Sequence, residues 1–271
     1  MRQGGGSDLT DLMEEENEMP MINLTQAARS FEEQGFLVLE RLLSEEEITP
    51  ISDETDKLIT DGVNYFPKDD VVYEPGSSPP RVRNAFRVHL HNPFFMGVAR
   101  HPKISPVVEE LLGRPVRLYG SQLFAKPPEV GSVVPLHPDR PYWPSEPYEL
   151  LSCWIALDDS TVENGGVRFM VGPHKLGELR HLPSNVPGNS LKLDDARISG
   201  LPEYAVQVPR GSCVLHHCLT AHWSGPNRSR RPRRGLIMVY MSPRVRLTDA
   251  TKLRGPADFP VVSDSDGHAD R

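Results

Sequence analysis

The sequence predicts a mainly β chain, a double-stranded β-helix or jelly roll, with helices flanking it on the N-terminal side. Three observations carry this expectation. Helical spacing of apolar residues is confined to the stretch before residue 113. From Val116 onward the pattern changes to seven short apolar runs broken by Gly, Pro and Asn, which fits a two-sheet jelly roll. Within that β region lies the tripeptide His137-Pro138-Asp139, followed 83 residues later by His222, so groups able to bind a metal come from separate strands.

Taken in order, residues 24–34 have helical spacing and are stopped by Gly35. Ser44 and Glu47 form a capping-box signal for a helix running to about Thr60, with Pro50 expected to divide it into a first turn and a main helix capped by Thr49. Residues 103–112 predict a third helix, ended by Gly113. The predicted strands are 116–124, 150–157, 167–171, 204–208, 212–216, 219–223 and 235–241. His89 and His91 alternate as on an exposed strand. The polar stretch 175–203 has the length of a loop that acts as a lid over substrate, and the poorly periodic segment 64–83 is a candidate to share that role.

At 271 residues the chain suits one large domain. We expect that domain to span residues 22–250, between a disordered acidic tail at 1–21, which contains Glu14-Glu15-Glu16-Asn17-Glu18, and a flexible C-terminal tail at 251–271. No internal repeat is visible. The net charge of -7 argues against nucleic acid as the main partner, and the basic cluster from Arg228 to Arg234 is local. No secretory signal follows Met1 and no apolar run approaches ~20 residues, which argues against a membrane partner. The odd set Cys153, Cys213 and Cys218 fits reduced thiols, so a cytoplasmic protein is expected.

Residues two apart in an extended segment point to the same side, so His137 and Asp139 can converge on one ion, and Pro138 suits a strand end. Two imidazoles and one carboxylate on one face of a metal leave positions open, as in non-haem Fe(II) oxygenases. A distant strand must supply the third ligand. On an unbroken strand, alternation sends His216 and His222 to the same face and His217 to the other, so periodicity does not choose between the first two. Arg233 opens an apolar run, and an arginine there enters the core only if a carboxylate neutralises it, which makes it a candidate clamp for a dicarboxylate.

These residues resemble the phytanoyl-CoA dioxygenase family of Fe(II)- and 2-oxoglutarate-dependent oxygenases over roughly residues 22–245. The resemblance rests on Phe31-Glu-Glu-Gln-Gly-Phe-Leu-Val-Leu39, Lys126-Pro-Pro, His137-Pro-Asp139 with Tyr142-Trp143, and Trp154-Ile-Ala-Leu-Asp-Asp159. It continues through Glu163-Asn-Gly-Gly166, Gly172-Pro-His-Lys175 and His222-Trp-Ser-Gly-Pro-Asn227 with Arg233. It implies that His137, Asp139 and His222 are the metal ligands, in preference to His216. It further implies that Arg233 and Ser224 bind the far carboxylate of 2-oxoglutarate, that Trp154 and Gln122 line the co-substrate pocket, and that Arg87 is a second basic contact. Tyr142 and Trp143 are candidate substrate residues. The chain departs from the family pattern at Pro138, often Gln, at Trp223, often Gly, and at Pro173 in Gly172-Pro-His-Lys175.

The implied activity is a dioxygenase with Fe(II) and 2-oxoglutarate that oxidises, most simply hydroxylates, a C–H bond of a small molecule, such as a specialised metabolite, releasing succinate and CO2. Desaturation, epimerisation and oxidative cyclisation use the same cofactors. Two readings from other classes compete. A cupin-like metal isomerase would have no use for Arg233 and Ser224, and a non-catalytic binding protein would have no need of the complete triad.

Overall fold

The computed structural model describes residues 22–249 and 259–263. Helix α1 (Leu24–Gln34) begins where the Asn23 side chain accepts a hydrogen bond from the Gln26 N–H, and it ends at Gly35 with φ of 85°. A Cβ at Gly35 would come within 2.5 Å of Thr220 Oγ1 and His174 Nδ1, so both conformation and space require glycine. Strand β1 (Phe36–Leu39) follows. Helix α2 (Glu45–Thr60) starts with the Ser44/Glu47 capping box and runs through Pro50 unbroken, contrary to the expected division. The proline lies in the second turn on the exposed face, and the carbonyl that loses its donor belongs to Glu46, which is exposed to water.

The chain continues as β2 (Val71–Tyr73), β3 (Val82–Phe86), α3 (Val88–His91), α4 (Phe94–Ala99) and α5 (Ser105–Leu112). Then come β4 (Val116–Lys126), β5 (Val134–His137), β6 (Ser145–Glu146), β7 (Leu150–Ala156) and β8 (Val167–Met170). The remaining strands are β9 (His181–Val186), β10 (Asn189–Leu193), β11 (Glu203–Ala205), β12 (Cys213–His217), β13 (His222–Ser224), β14 (Arg233–Met241), β15 (Arg246–Leu247) and β16 (Val261–Ser263).

Two antiparallel sheets organise twelve of these strands, and β9 with β10 and β6 with β15 form two-stranded ladders. The larger has the order β1-β12-β7-β14-β4-β3-β2, with β16 added to β4, and the smaller has the order β11-β8-β13-β5. They face one another as in a jelly roll without closing into a continuous barrel. Alternation sorts the large sheet into two faces. Leu151, Cys153, Ile155, Leu215, Leu236 and Met238 point one way and form the main core with Phe31, Ile48, Ile51, Phe95 and Val108 of the helices. Trp154, Ala156 and Val214 point the other way and meet Phe169 of the small sheet and Val206 and Val208 beside it. The helices thus cover one face, and the cavity opens on the other.

Several expectations need correction. His89 and His91 lie on the short helix α3, because Arg87 takes φ of 56° and turns the chain out of β3. Residues 219–221 are a turn between β12 and β13, closed by the Thr220 N–H on the His217 carbonyl (2.8 Å). The stretch 175–203 carries the hairpin β9/β10. Residues 259–263 are not a flexible tail: β16 pairs with β4, and the Pro260 carbonyl accepts from the Leu118 N–H at 2.9 Å. The tail 1–21 lies outside the described residues.

Candidate active site

Strand pairing brings the two histidines together. His137, the last residue of β5, is directly opposite His222, the first of β13, and their ring centroids are 4.5 Å apart. Asp139 is not on the strand as alternation would have it; its backbone is helical (φ -75°, ψ -27°) and begins the 3-10 turn Arg140–Tyr142. Pro138 ends the ladder and the turn swings the carboxylate back. The ligand atoms of His137, Asp139 and His222 all lie within 4.8 Å of one another. His137 Nδ1 donates to the Pro135 carbonyl (2.7 Å) and His222 Nδ1 to the Thr220 carbonyl (3.0 Å), so both Nε2 lone pairs are left for an ion.

Asp139 divides its oxygens. Oδ1 faces His137 Nε2 (3.9 Å) and His222 Nε2 (3.8 Å). Oδ2 accepts from Ser152 Oγ (3.0 Å) on β7 and from His216 Nε2 (3.0 Å) on β12. His216 therefore enters the site as a partner of the carboxylate. Burial works to raise the Asp139 pKa, but His222, the His216 hydrogen bond and His137 outweigh it, and the group is held well below the usual carboxylate range. Burial, assisted by His137, lowers His222 to about 3, and burial also lowers His137. The set is two neutral imidazoles and one carboxylate, the protonation states a divalent metal requires.

A second constellation sits on β14. Arg233 is 3 % exposed, and no carboxylate among the described residues lies within ion-pair distance of it. Its guanidinium carbon lies 5.6 Å from the ring centroids of both Phe124 and Trp154. Burial lowers its pKa to about 10 against the opposing pull of Asp158, so it remains a cation. Arg83 and Lys126 are also buried nearby; Glu74 pairs with Arg83 (3.3 Å), and Lys126 Nζ donates to the Ser132 (2.8 Å) and Gly225 carbonyls. The two arginines outnumber the one paired carboxylate, Glu74, so an incoming dianion meets a prepared positive site. Trp154 Nε1 is buried without a hydrogen-bond partner, and Ser224 lies two residues beyond His222 on the same face of β13. These donors fit a carboxylate-bearing co-substrate.

One cavity of about 590 Å³ joins the two constellations and is lined by His137, Asp139, His222, Arg233, Ser224, Trp154 and Gln122. Tyr142 and Trp143 also line it. The Tyr142 hydroxyl accepts from the Leu191 N–H (3.1 Å), tying the turn after Asp139 to the hairpin, whose Gly188 and Asn189 reach the cavity. Arg87 lines the wall too, but its guanidinium is engaged by Asp70, with Nε at 3.0 Å from Oδ2 and a second bond through Nη2. Sequence reasoning missed Ser152, Asp70 and the role of His216. Ser152 could have been found, since it shares a strand face with Trp154; Asp70 lies in a segment without periodicity.

The sequence profile described as "Phytanoyl-CoA dioxygenase (PhyH)" matches residues 31–235. Ectoine dioxygenase of Bordetella parapertussis is 29% identical over 233 residues, covering 79% of this chain and 74% of the relative. Phytanoyl-CoA dioxygenase domain-containing protein 1 of Mus musculus is 30% identical over 210 residues, covering 73% of this chain and 72% of its own. Among solved structures, the non-heme alpha ketoglutarate dependent carbocyclase SnoK from nogalamycin biosynthesis superposes with a TM-score of 0.71 at 25% identity, covering 88% of this chain and 96% of that one. With the His/Asp/His cluster and the buried arginine in one cavity, the chain belongs to the phytanoyl-CoA dioxygenase family, and through it to the non-haem Fe(II)- and 2-oxoglutarate-dependent dioxygenases.

Proposed function

We propose that this protein hydroxylates a C–H bond of a small molecule, with one oxygen atom of dioxygen entering the product and the other entering succinate as 2-oxoglutarate loses CO2. The observation that carries this reading is the buried, unpaired Arg233 in the same cavity as the triad. In this assignment His137, Asp139 and His222 hold Fe(II), Arg233 and Ser224 bind the far carboxylate of 2-oxoglutarate, and Trp154 and Gln122 shape its pocket. Tyr142 and Trp143 contact substrate. The Asp70 pair supports placing Arg87 on the substrate wall, in place of the second co-substrate contact expected from the sequence.

Fe(II), when bound, supplies the redox chemistry that couples decarboxylation to C–H oxidation. The chain's residues do the rest. Arg233 offers a fixed fork to a carboxylate in a water-poor pocket, where a charge-assisted bond is strong. The backbone carbonyls of Pro135 and Thr220 keep both imidazoles in the ligating tautomer. Asp139 supplies a carboxylate where a halide-transferring relative would need a small residue, which supports oxygenation over halogenation. Three buried free cysteines support a cytoplasmic setting, and the acidic charge supports a small-molecule partner over nucleic acid. Among the described residues no helix is long and apolar enough to cross a membrane.

The test is succinate formation after anaerobic loading with Fe(II) and 2-oxoglutarate and admission of dioxygen. Wild-type protein should turn over slowly without substrate, Asp139→Ala should fall at least about a hundredfold, and Arg233→Met should raise the KM for 2-oxoglutarate at least about tenfold. Unchanged turnover in Asp139→Ala would overturn the metal assignment.

A further inference from the structure

We propose that the cavity selects a substrate presenting a flat, unsaturated ring system, and that Phe259, delivered by the C-terminal strand, is a specificity-determining residue for it. The proposal rests on the reading of the cavity as an Fe(II)/2-oxoglutarate site.

Strand β4 is a ruler along the cavity. Phe124 lies beside Arg233, and Tyr119, five residues back, is about 16 Å away at the usual rise per strand residue. The carboxylate-binding end and the Tyr119 end are therefore opposite ends of one cavity. At the Tyr119 end the ladder with β14 slips: Val239 faces Gly120, but Tyr240 faces Leu118, so Tyr119 is the extra residue of a bulge. A bulge re-aims a side chain, and here Tyr119 joins Gly120 on the cavity wall.

Two further rings meet it there. Phe259 stacks on Tyr119 with centroids 5.7 Å apart and planes 18° apart, and Trp143 tilts against it at 5.7 Å and 52°. All three line the cavity and remain partly exposed. They come from a bulge, from the turn after Asp139 and from the strand that follows Phe259, three unrelated parts of the chain. Phe259 is held independently of any ligand: its carbonyl accepts from Arg117 Nη1 (3.0 Å), the Val261 carbonyl accepts from Arg100 Nη2 (2.9 Å), and Val262 packs on the main core. It also lies 24 residues beyond the end of the family match at 235, whereas Tyr119 and Trp143 fall within it.

A wall of three rings gains most from a partner that can stack or meet it edge-on, because offset and edge-to-face ring pairs are favoured beyond simple area burial. Ring faces also attract cations, so the test uses two neutral probes that differ only in ring saturation. Of the acidic residues beside Arg87, Asp70 is already shared between Arg87 and His91 (2.9 Å), while Asp69 lines the cavity exposed.

The experiment uses full-length protein loaded with Fe(II) and 2-oxoglutarate under anaerobic conditions, with 2-naphthol and its saturated counterpart decahydro-2-naphthol as calorimetric probes. We expect wild-type protein to bind 2-naphthol about tenfold tighter than the saturated alcohol. Phe259→Ala and the more conservative Phe259→Leu should bring the ratio to within about twofold, and Phe259→Trp should keep it, with 2-oxoglutarate affinity unchanged in all three. Equal affinity for both probes in wild type, or an undiminished ratio in Phe259→Leu, would overturn the inference while 2-oxoglutarate binding stands. Failure of wild-type protein to bind 2-oxoglutarate would instead overturn the reading on which it rests.

Discussion

Asp139 is the residue on which the site turns, and its second oxygen shows why His216 matters. The chain between β12 and β13 is broken by the turn at 218–221, so the strand alternation that made His216 and His222 equivalent does not run through it. Both imidazoles nevertheless reach Asp139, one at each oxygen. The ambiguity in the sequence therefore reflected a real proximity, and the tertiary placement of one carboxylate resolves it. A carboxylate oxygen only accepts, so His216 Nε2 carries the proton of the 3.0 Å bond and fixes the rotamer that aims Oδ1 at the histidine pair. His216 is a positioning residue. His216→Leu should weaken Co(II) binding, followed by the visible spectrum of the bound ion, by about 10- to 100-fold, and His216→Gln should recover part of the loss by restoring a donor. Wild-type Co(II) affinity in His216→Leu would show that Ser152 alone suffices.

At the scale of elements, β14 and β7 build the proposed co-substrate pocket by pairing a bulky residue with none. A Cβ on Gly235 would lie 1.8 Å from Trp154 Nε1, so the indole occupies the space a side chain would fill. The sequence marks Gly235 only as the start of an apolar run, and nothing local reveals that the indole crosses it. Gly235→Ala must displace Trp154 or shift the strand. We expect it to raise the KM for 2-oxoglutarate at least about tenfold, and Gly235→Ala/Trp154→Phe to be less impaired than the two single changes predict, because a smaller ring leaves room. Strictly additive losses in the double-mutant cycle would place the clash elsewhere. The legible elements were those with a strong local signal: α1, the capped α2, the end of α5 at Gly113, and the apolar strands β4, β7, β12 and β14. Short strands such as β9, β10 and β16 are defined by the partner they pair with, and the polar sequence of the hairpin carries no period to announce it.

For the whole molecule, the balance of buried charge is the feature that sequence could not convey. Lys126 was visible in the sequence as part of a motif, but only the fold places it 0 % exposed between the Ser132 and Gly225 carbonyls and near Arg233 and Arg83. Burial, reinforced by those two arginines and opposed by Glu74, lowers its pKa to about 6. The unfolded chain keeps this group near the ordinary lysine value of about 10.4. Between pH 6 and about 10.4 the unfolded state therefore binds a proton that the native state does not, and stability rises with pH through that window. The slope from this one group has an upper limit of about 1.4 kcal/mol per pH unit. Other groups titrate over the same range, so the contribution is isolated by comparison with Lys126→Met, which keeps most of the volume and loses the ionisable amine. Denaturant unfolding of the ligand-free protein from pH 6.5 to 9 should show wild type gaining stability relative to Lys126→Met as pH rises. Parallel curves would mean that Lys126 stays protonated in the fold, with Glu74 and the two carbonyls meeting the whole of its charge.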